Sequence, residues 1–226
     1  ICRKIEVCVK DSMDIRFITS DEIKKSIRRE YGKCIGEVLD SIDIVTLEKL
    51  IDNKSAVLKS QVYTTKDSVL HVDVTQRKPL VRFQKGKKGF YATEDCNLFP
   101  LQSTYTSHVM VVDGYIPLLI EHGYLGKPDT EEGQKWLHDM VGLVKYIEGS
   151  KTWKDKIVQI TVLEDSDLML IPRVGQERFL FGQACDIEEK FEKMGLYYKG
   201  IQRNKGEYAY KTVDLRFKDQ IVCRKD

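Results

Sequence analysis

Thr212-Val-Asp-Leu-Arg-Phe217 alternates apolar and polar residues without a break, close to the end of the chain. Val213, Leu215 and Phe217 project to one side of an extended segment, and Thr212, Asp214 and Arg216 to the other, the period-two signature of a half-buried strand. Lys218-Asp219 supplies a turn, and Ile221-Val222-Cys223 begins a further short strand. A strand that closes a chain readily occupies the margin of a sheet, where unpaired N–H and C=O groups can accept another chain. The molecule therefore needs a sheet to carry this hairpin. Its last strand is the first candidate for an interaction surface.

The N-terminal part alternates between the two periodicities. Ile5-Glu-Val-Cys-Val9 is strand-like from the outset. Thr19 and Glu22 have capping-box spacing ahead of Ile23, Ile27 and Tyr31, and Gly32 stops that helix. A second helix puts Leu47, Leu50 and Ile51 on one face. Two strands follow over 56–65 and 69–76, joined by the polar turn Lys66-Asp67-Ser68. In the second of them Leu70, Val72 and Val74 face a core while His71, Asp73 and Thr75 face water. Pro79 ends or offsets the strand, and the scarcity of Gly, Pro and Ser over 77–83 predicts a stiff connection to a second domain.

The remainder mixes strands and helices. Short strands are predicted over 89–101 with a turn at Glu94-Asp95, and another over 108–112. Thr130 caps a helix whose Trp136, Leu137, Met140, Val141, Val144 and Ile147 form an apolar core stripe ended by Gly149. A meander is predicted over 157–163, 167–172 and 177–181. Asp186 and Glu189 repeat the capping pattern before Ile187, Phe191 and Met194, with Gly195 as the stop.

Charge and composition narrow the function classes. Lys and Arg number 37 against 35 Asp and Glu, a net charge of +2, which argues against a dedicated nucleic-acid binder. No segment approaches the roughly 18 consecutive apolar residues of a membrane-spanning helix. The start at Ile1 reads as an excised portion or a processed chain. The six cysteines, Cys2, Cys8, Cys34, Cys96, Cys185 and Cys223, form no CxxC pair and read as free, mostly buried small hydrophobes. No closely spaced ligand pair suggests a metal, and nothing implies a cofactor. His71, His108, His122 and His138 lie in separate elements without a nucleophile turn or an HExxH pattern. Lys85-Gly-Lys-Lys-Gly89 lacks P-loop spacing and reads as a solvated basic turn.

Several phrases, taken in order, carry a family resemblance. Val62–Arg82 is similar to the junction where a strand ends in a Glu/Gln-Arg-x-Pro run. Gly89–Leu101 looks like the hairpin that follows it, Leu170–Gly175 and Leu180-Phe-Gly182 look like later strands, and Val213–Phe217 resembles a near-terminal strand. The family is that of the bacterial division proteins FtsQ and DivIB, and the phrasing resembles its Bacteroidetes members. The β-α-α-β-β order likewise resembles a POTRA domain. The resemblance implies an α+β fold, with a POTRA domain over 1–80 and a larger mixed β domain with flanking helices and a C-terminal edge strand over 81–226.

It also implies a non-enzymatic scaffold, anchored in the inner membrane by one N-terminal helix, with this portion in the periplasm. Its partners would be FtsB- and FtsL-like proteins at the C-terminal strand and other division proteins at the POTRA domain. The implied contact residues are Arg216, Phe217, Lys218, Gln220, Ile221, Val222, Cys223 and Arg224. Arg216 would hold a partner carboxylate in its planar fork, or else be a solvated strand residue. Phe217 reads equally as partner contact or as core, and Asp214 as functional or as a simple partner for a strand cation. Proline at Val222 is expected to remove an edge donor or fix the wrong dihedral, and so to weaken partner binding while leaving the fold intact. The terminal strand departs from some relatives in lacking a turn Gly and a nearby Trp.

Two other classes compete. An outer-membrane assembly or secretion factor with POTRA domains needs further POTRA copies or barrel strands after the first domain, and the sequence shows a single copy followed by mixed α/β pattern. A wall hydrolase needs convergent catalytic groups, and no motif nominates any.

Overall fold

The computed structural model of the chain describes residues 1–86, 88–119, 121, 123–206 and 208–225; His122 and Lys87 of the basic turn lie outside the described residues. The chain divides into one unit of 1–78 with 99–107 and another of 79–98 with 108–226.

In the first unit, strands β1 (Lys4–Val9), β2 (Val57–Thr64) and β3 (Val69–Gln76) form a sheet in the order β1-β3-β2. β1 is parallel to β3, and β2 is antiparallel to it. Helices α1 (Ser20–Ser26) and α2 (Ile44–Asp52) separate β1 from β2, giving the β-α-α-β-β order read from the sequence. The capping box is present: Glu22 N–H donates to Thr19 Oγ1, and Thr19 N–H to the Glu22 carboxylate at 2.8 Å. α1 runs on through a π-helical turn, Ile27–Tyr31, up to Gly32. Ile23, Ile27, Leu47, Ile51, Leu70, Val72 and Val74 are all fully buried, so the apolar stripes pack where periodicity put them. Gln76 is buried too, and its amide is satisfied twice: it accepts from Ile18 N–H and donates to Ile15 O, each at 2.9 Å. That side chain pins the loop that leads into α1.

The second unit is built on a sheet of order β12-β11-β10-β9-β8-β7-β4-β5-β6. Its strands are β4 (Pro79–Lys85), β5 (Lys88–Thr93), β6 (Leu98–Pro100), β7 (Met110–Gly114), β8 (Ile157–Val162), β9 (Leu168–Pro172), β10 (Arg178–Gly182), β11 (Thr212–Asp214) and β12 (Val222–Arg224). β8, β9 and β10 form the antiparallel meander that the alternation predicted. β7 starts two residues later than expected and ends at Gly114, where a Cβ would lie 2.2 Å from Val162 O. α3 (Glu131–Gly149) buries Leu137, Met140, Val141, Val144 and Ile147 as its stripe demands, with Thr130 capping Gly133 N–H at 3.1 Å.

α4 (Ile187–Leu196) corrects the sequence reading at both ends. Asp186 precedes it with left-handed backbone angles (φ 49°, ψ 41°) and makes no side-chain cap, because that backbone turns its carboxylate away from the first-turn amides. Gly195 does not stop the helix. The helical path continues through a π-helical turn, Tyr197–Gln202, and ends at Gly206, whose φ is 95°. Aromatic packing outweighs the roughly 1 kcal/mol that an internal Gly costs: Tyr197 is fully buried and meets Phe179 edge-on at 5.5 Å, and Tyr198 lies 5.6 Å from the same ring. Phe191 joins α4 to α3 by stacking on Tyr146 at 5.0 Å, and to the sheet at Phe181, 5.4 Å away.

All six cysteines are free, as the sequence reading has it, but only Cys2 and Cys34 are buried. Cys8 and Cys185 are exposed, because each occupies an open strand or loop position and not a core-facing one.

Candidate functional site, the C-terminal edge strand

β10 and β11 are parallel, and α4 provides the crossover that parallel neighbours require. β12 then returns antiparallel to β11 and forms the margin of the sheet. The register places Thr212 opposite Arg224, Val213 opposite Cys223 and Asp214 opposite Val222. Leu215 N–H donates to Leu180 O and Arg178 N–H to Lys211 O, so Val213 and Leu215 turn their polar backbone toward β10. By alternation Thr212 and Asp214 turn theirs toward β12, and the facing residues Arg224 and Val222 answer them. Cys223 is left with its N–H and C=O pointing away from the sheet. Proline at Val222 would therefore break the hairpin itself, which corrects the sequence expectation; the outward donor belongs to Cys223.

The hairpin is held from two sides. The Asp214 side chain is fully buried, and Arg216 grips it with both arms of its fork: Nε to Oδ1 at 3.0 Å and a terminal nitrogen to Oδ2 at 2.8 Å. The other terminal nitrogen reaches Asp167 Oδ2 at 2.9 Å, in the turn between β8 and β9. Burial acts to raise the Asp214 carboxyl, but its bonds from Arg216 outweigh that and hold it below the usual carboxylate range. The same two carboxylates raise the Arg216 guanidinium. Gly182 makes room for this arrangement. Its φ is 74°, and a Cβ there would lie 2.8 Å from Arg216 Cγ. From α4, the buried Lys193 ammonium donates to Leu215 O at 2.7 Å and Phe217 O at 2.9 Å. Arg216 thus occupies its fork with carboxylates of its own chain, and Asp214 serves as their buried anchor. The three-residue alternation stops at Leu215; Phe217 turns out of the core and is 46% exposed.

Lys218, Gln220 and Arg224 are exposed, and Ile221, Val222 and Cys223 are half-buried. Ile221 and Cys223 rest against the core, while Val222 shares the opposite face with Asp214. Sequence reasoning missed the exposed Val174 (73%) and Tyr208 (70%), the second of which accepts from the Gln176 amide at its backbone O at 2.8 Å. It also missed Glu177, 1% exposed, with one carboxylate oxygen that has no hydrogen-bond partner among the described residues. Burial and that neighbouring carboxylate push the Tyr197 hydroxyl up to about 12. None of these carried a local signal, since Glu177 reads as an ordinary strand-flanking acid.

Two other sheet margins, β2 and β6, are covered. Ser60 and Val62 on β2 donate their amides to Asp52 Oδ1 at 2.7 Å and Glu48 Oε1 at 2.8 Å. Leu98 on β6 exchanges backbone bonds with Gly126 at 2.7 and 3.0 Å. Among the described residues nothing covers Cys223 in this way.

Against known proteins, a family model described as FtsQ/DivIB, C-terminal related, matches residues 78–224. A POTRA-like domain model matches residues 1–75. A search of curated proteins finds no match.

Proposed function

The chain belongs to the FtsQ/DivIB family, and from that premise we propose that it is a division scaffold whose β12 edge accepts a strand from FtsB- or FtsL-like partners. The family is one of membrane-anchored, non-enzymatic division proteins with divisome protein partners. Among the described residues no helix is long and apolar enough to cross a membrane. In the proposal this portion works in the periplasm, carried there by an N-terminal anchor, during septum formation.

The observation that carries the reading is the uncovered backbone of Cys223 on a hairpin held rigid by Arg216 and Lys193. Main-chain bonds to that edge would supply affinity, and alternate side chains would supply selectivity. Phe217, Lys218, Gln220, Ile221, Val222, Cys223 and Arg224 form the proposed contact strip, with Arg216 behind it as the residue that positions the hairpin. Because the hairpin is already ordered, little conformational entropy opposes docking.

The test is binding of this chain to the periplasmic segments of FtsB- and FtsL-like proteins from the same organism, with Cys223→Pro alongside. Micromolar or tighter binding that the proline abolishes, at an unchanged melting temperature, is the expected result. Equal affinity for the proline variant would remove edge pairing from the account.

A further inference from the structure

The first unit carries a second opening, unrelated to β12. A groove of about 810 Å³ runs between the start of β1 and the end of the first helix. Its rim is cationic: Arg3, Lys24, Arg28 and Lys33 are all exposed, and none of them forms an ion pair among the described residues. Lys4 also lines it and is tied to Glu6 at 2.6 Å. The floor is apolar, made by the fully buried Ile27 and by Ile35, which is 50% exposed. An isolated cation on a protein surface is ordinary, but four unpaired ones around apolar surface repel one another, and an anionic occupant relieves that repulsion.

The backbone beside the groove says what shape the occupant takes. Lys10 N–H donates to Val74 O, and the β1–β3 register then turns the even-numbered amides of β1 toward β3 and those of Ile5 and Val7 outward. On that outward side, Cys2 is closed off by bonds with Gly36 and Glu37, each 2.8 Å. Val7 O is closed off by the Ser20 hydroxyl at 3.1 Å. Between these two closures the polar backbone of Ile5 faces the groove with no partner among the described residues. A lipid headgroup has no use for such an edge; an extended polypeptide does.

We propose that this groove binds a short, extended, acidic segment of a partner protein, its carboxylates meeting Arg3, Lys24, Arg28 and Lys33, its apolar side chains resting on the exposed Ile35 and the half-buried Ile5, and its backbone pairing with that of Ile5. The site is independent of the β12 reading and stands or falls without it.

The probe is a fluorescein-labelled Glu-Leu-Glu-Ile-Glu-Leu peptide, compared with its Gln-Leu-Gln-Ile-Gln-Leu counterpart and with phosphatidylglycerol vesicles, measured by anisotropy and co-sedimentation on the whole chain. The acidic peptide should bind and the neutral one should not. Reversing charge with Lys24→Glu and Arg28→Glu should weaken the acidic peptide by at least about tenfold. Raising salt to about 0.5 M should weaken it as well, since exposed charges are screened. Ile5→Pro should weaken it at an unchanged melting temperature, and Cys223→Pro should leave it as it was. Failure of the acidic peptide to bind, or equal binding by the charge-reversed variant, would overturn the proposal. So would vesicle binding without peptide binding, which would make the groove a membrane contact.

Discussion

β2 and β12 are both margins of a sheet, and the chain treats them in opposite ways. On β2 the outward amides of Ser60 and Val62 are filled by Asp52 and Glu48, acids placed one helical turn apart on α2. On β12 the effort goes into the strand's rear: Arg216 and Lys193 fix the hairpin, and the outward backbone of Cys223 stays bare. An unpaired edge is an aggregation hazard that folded proteins usually blunt. A protein that guards one edge and stiffens another without guarding it marks the second as the place where pairing is wanted. β12 is also short, which limits self-pairing and leaves affinity to depend on the partner's side chains.

The comparison breaks most sharply at Arg216. Arg216→Met keeps the aliphatic stem but leaves the buried Asp214 without its counter-charge. Loss of a partner from a buried pair costs about 3–5 kcal/mol, and the partial exposure of this arginine reduces the expectation to roughly 2–3 kcal/mol. Urea unfolding reads that loss, and affinity for the partner segments should fall with it. The pH profile of the native protein sharpens the same point. The Asp214 carboxyl sits lower when folded than when unfolded, so its contribution is fully present above the unfolded value near about 4 and is lost as pH falls through the folded one. Stability attributable to the clamp should be flat from about pH 5 to 8 and decline only in stronger acid; Arg216→Met should lack that acid limb.

A smaller effect is expected on the guarded edge. Glu48→Ala with Asp52→Ala should cost about 1 kcal/mol for each lost amide bond. It should also expose β2 to strand pairing, so that concentration-dependent self-association appears in sedimentation velocity while the native chain stays unassociated under the same conditions. If the double variant behaves as the native chain does, the two acids are decoration and the contrast between the edges loses its meaning.

Much of this was legible in the sequence because it is local. The Thr19–Glu22 capping box, the α3 stripe and the alternation of Leu70, Val72 and Val74 are each written within a few residues and hold in the structure. The position of the last strand at a sheet margin was legible for the same reason. What escaped depends on distant parts of the chain. Gly195 looked like a stop until Phe179, far upstream, supplied the ring against which Tyr197 and Tyr198 continue the helix. Arg216 looked like an outward fork because Asp167, which takes its free arm, is 49 residues away. The direction of the Cys223 amide follows from the parallel pairing of β10 with β11, and no pattern within 208–224 encodes that pairing.

Amide hydrogen exchange at Cys223, with and without the partner segments, tests the central claim most directly. The account predicts that this amide exchanges freely in the isolated chain while Val222 and Arg224 are protected, and that partner binding slows Cys223 by at least about tenfold, as a new backbone bond should. Partner binding that leaves Cys223 exchanging freely, with new protection elsewhere on the chain, would contradict it.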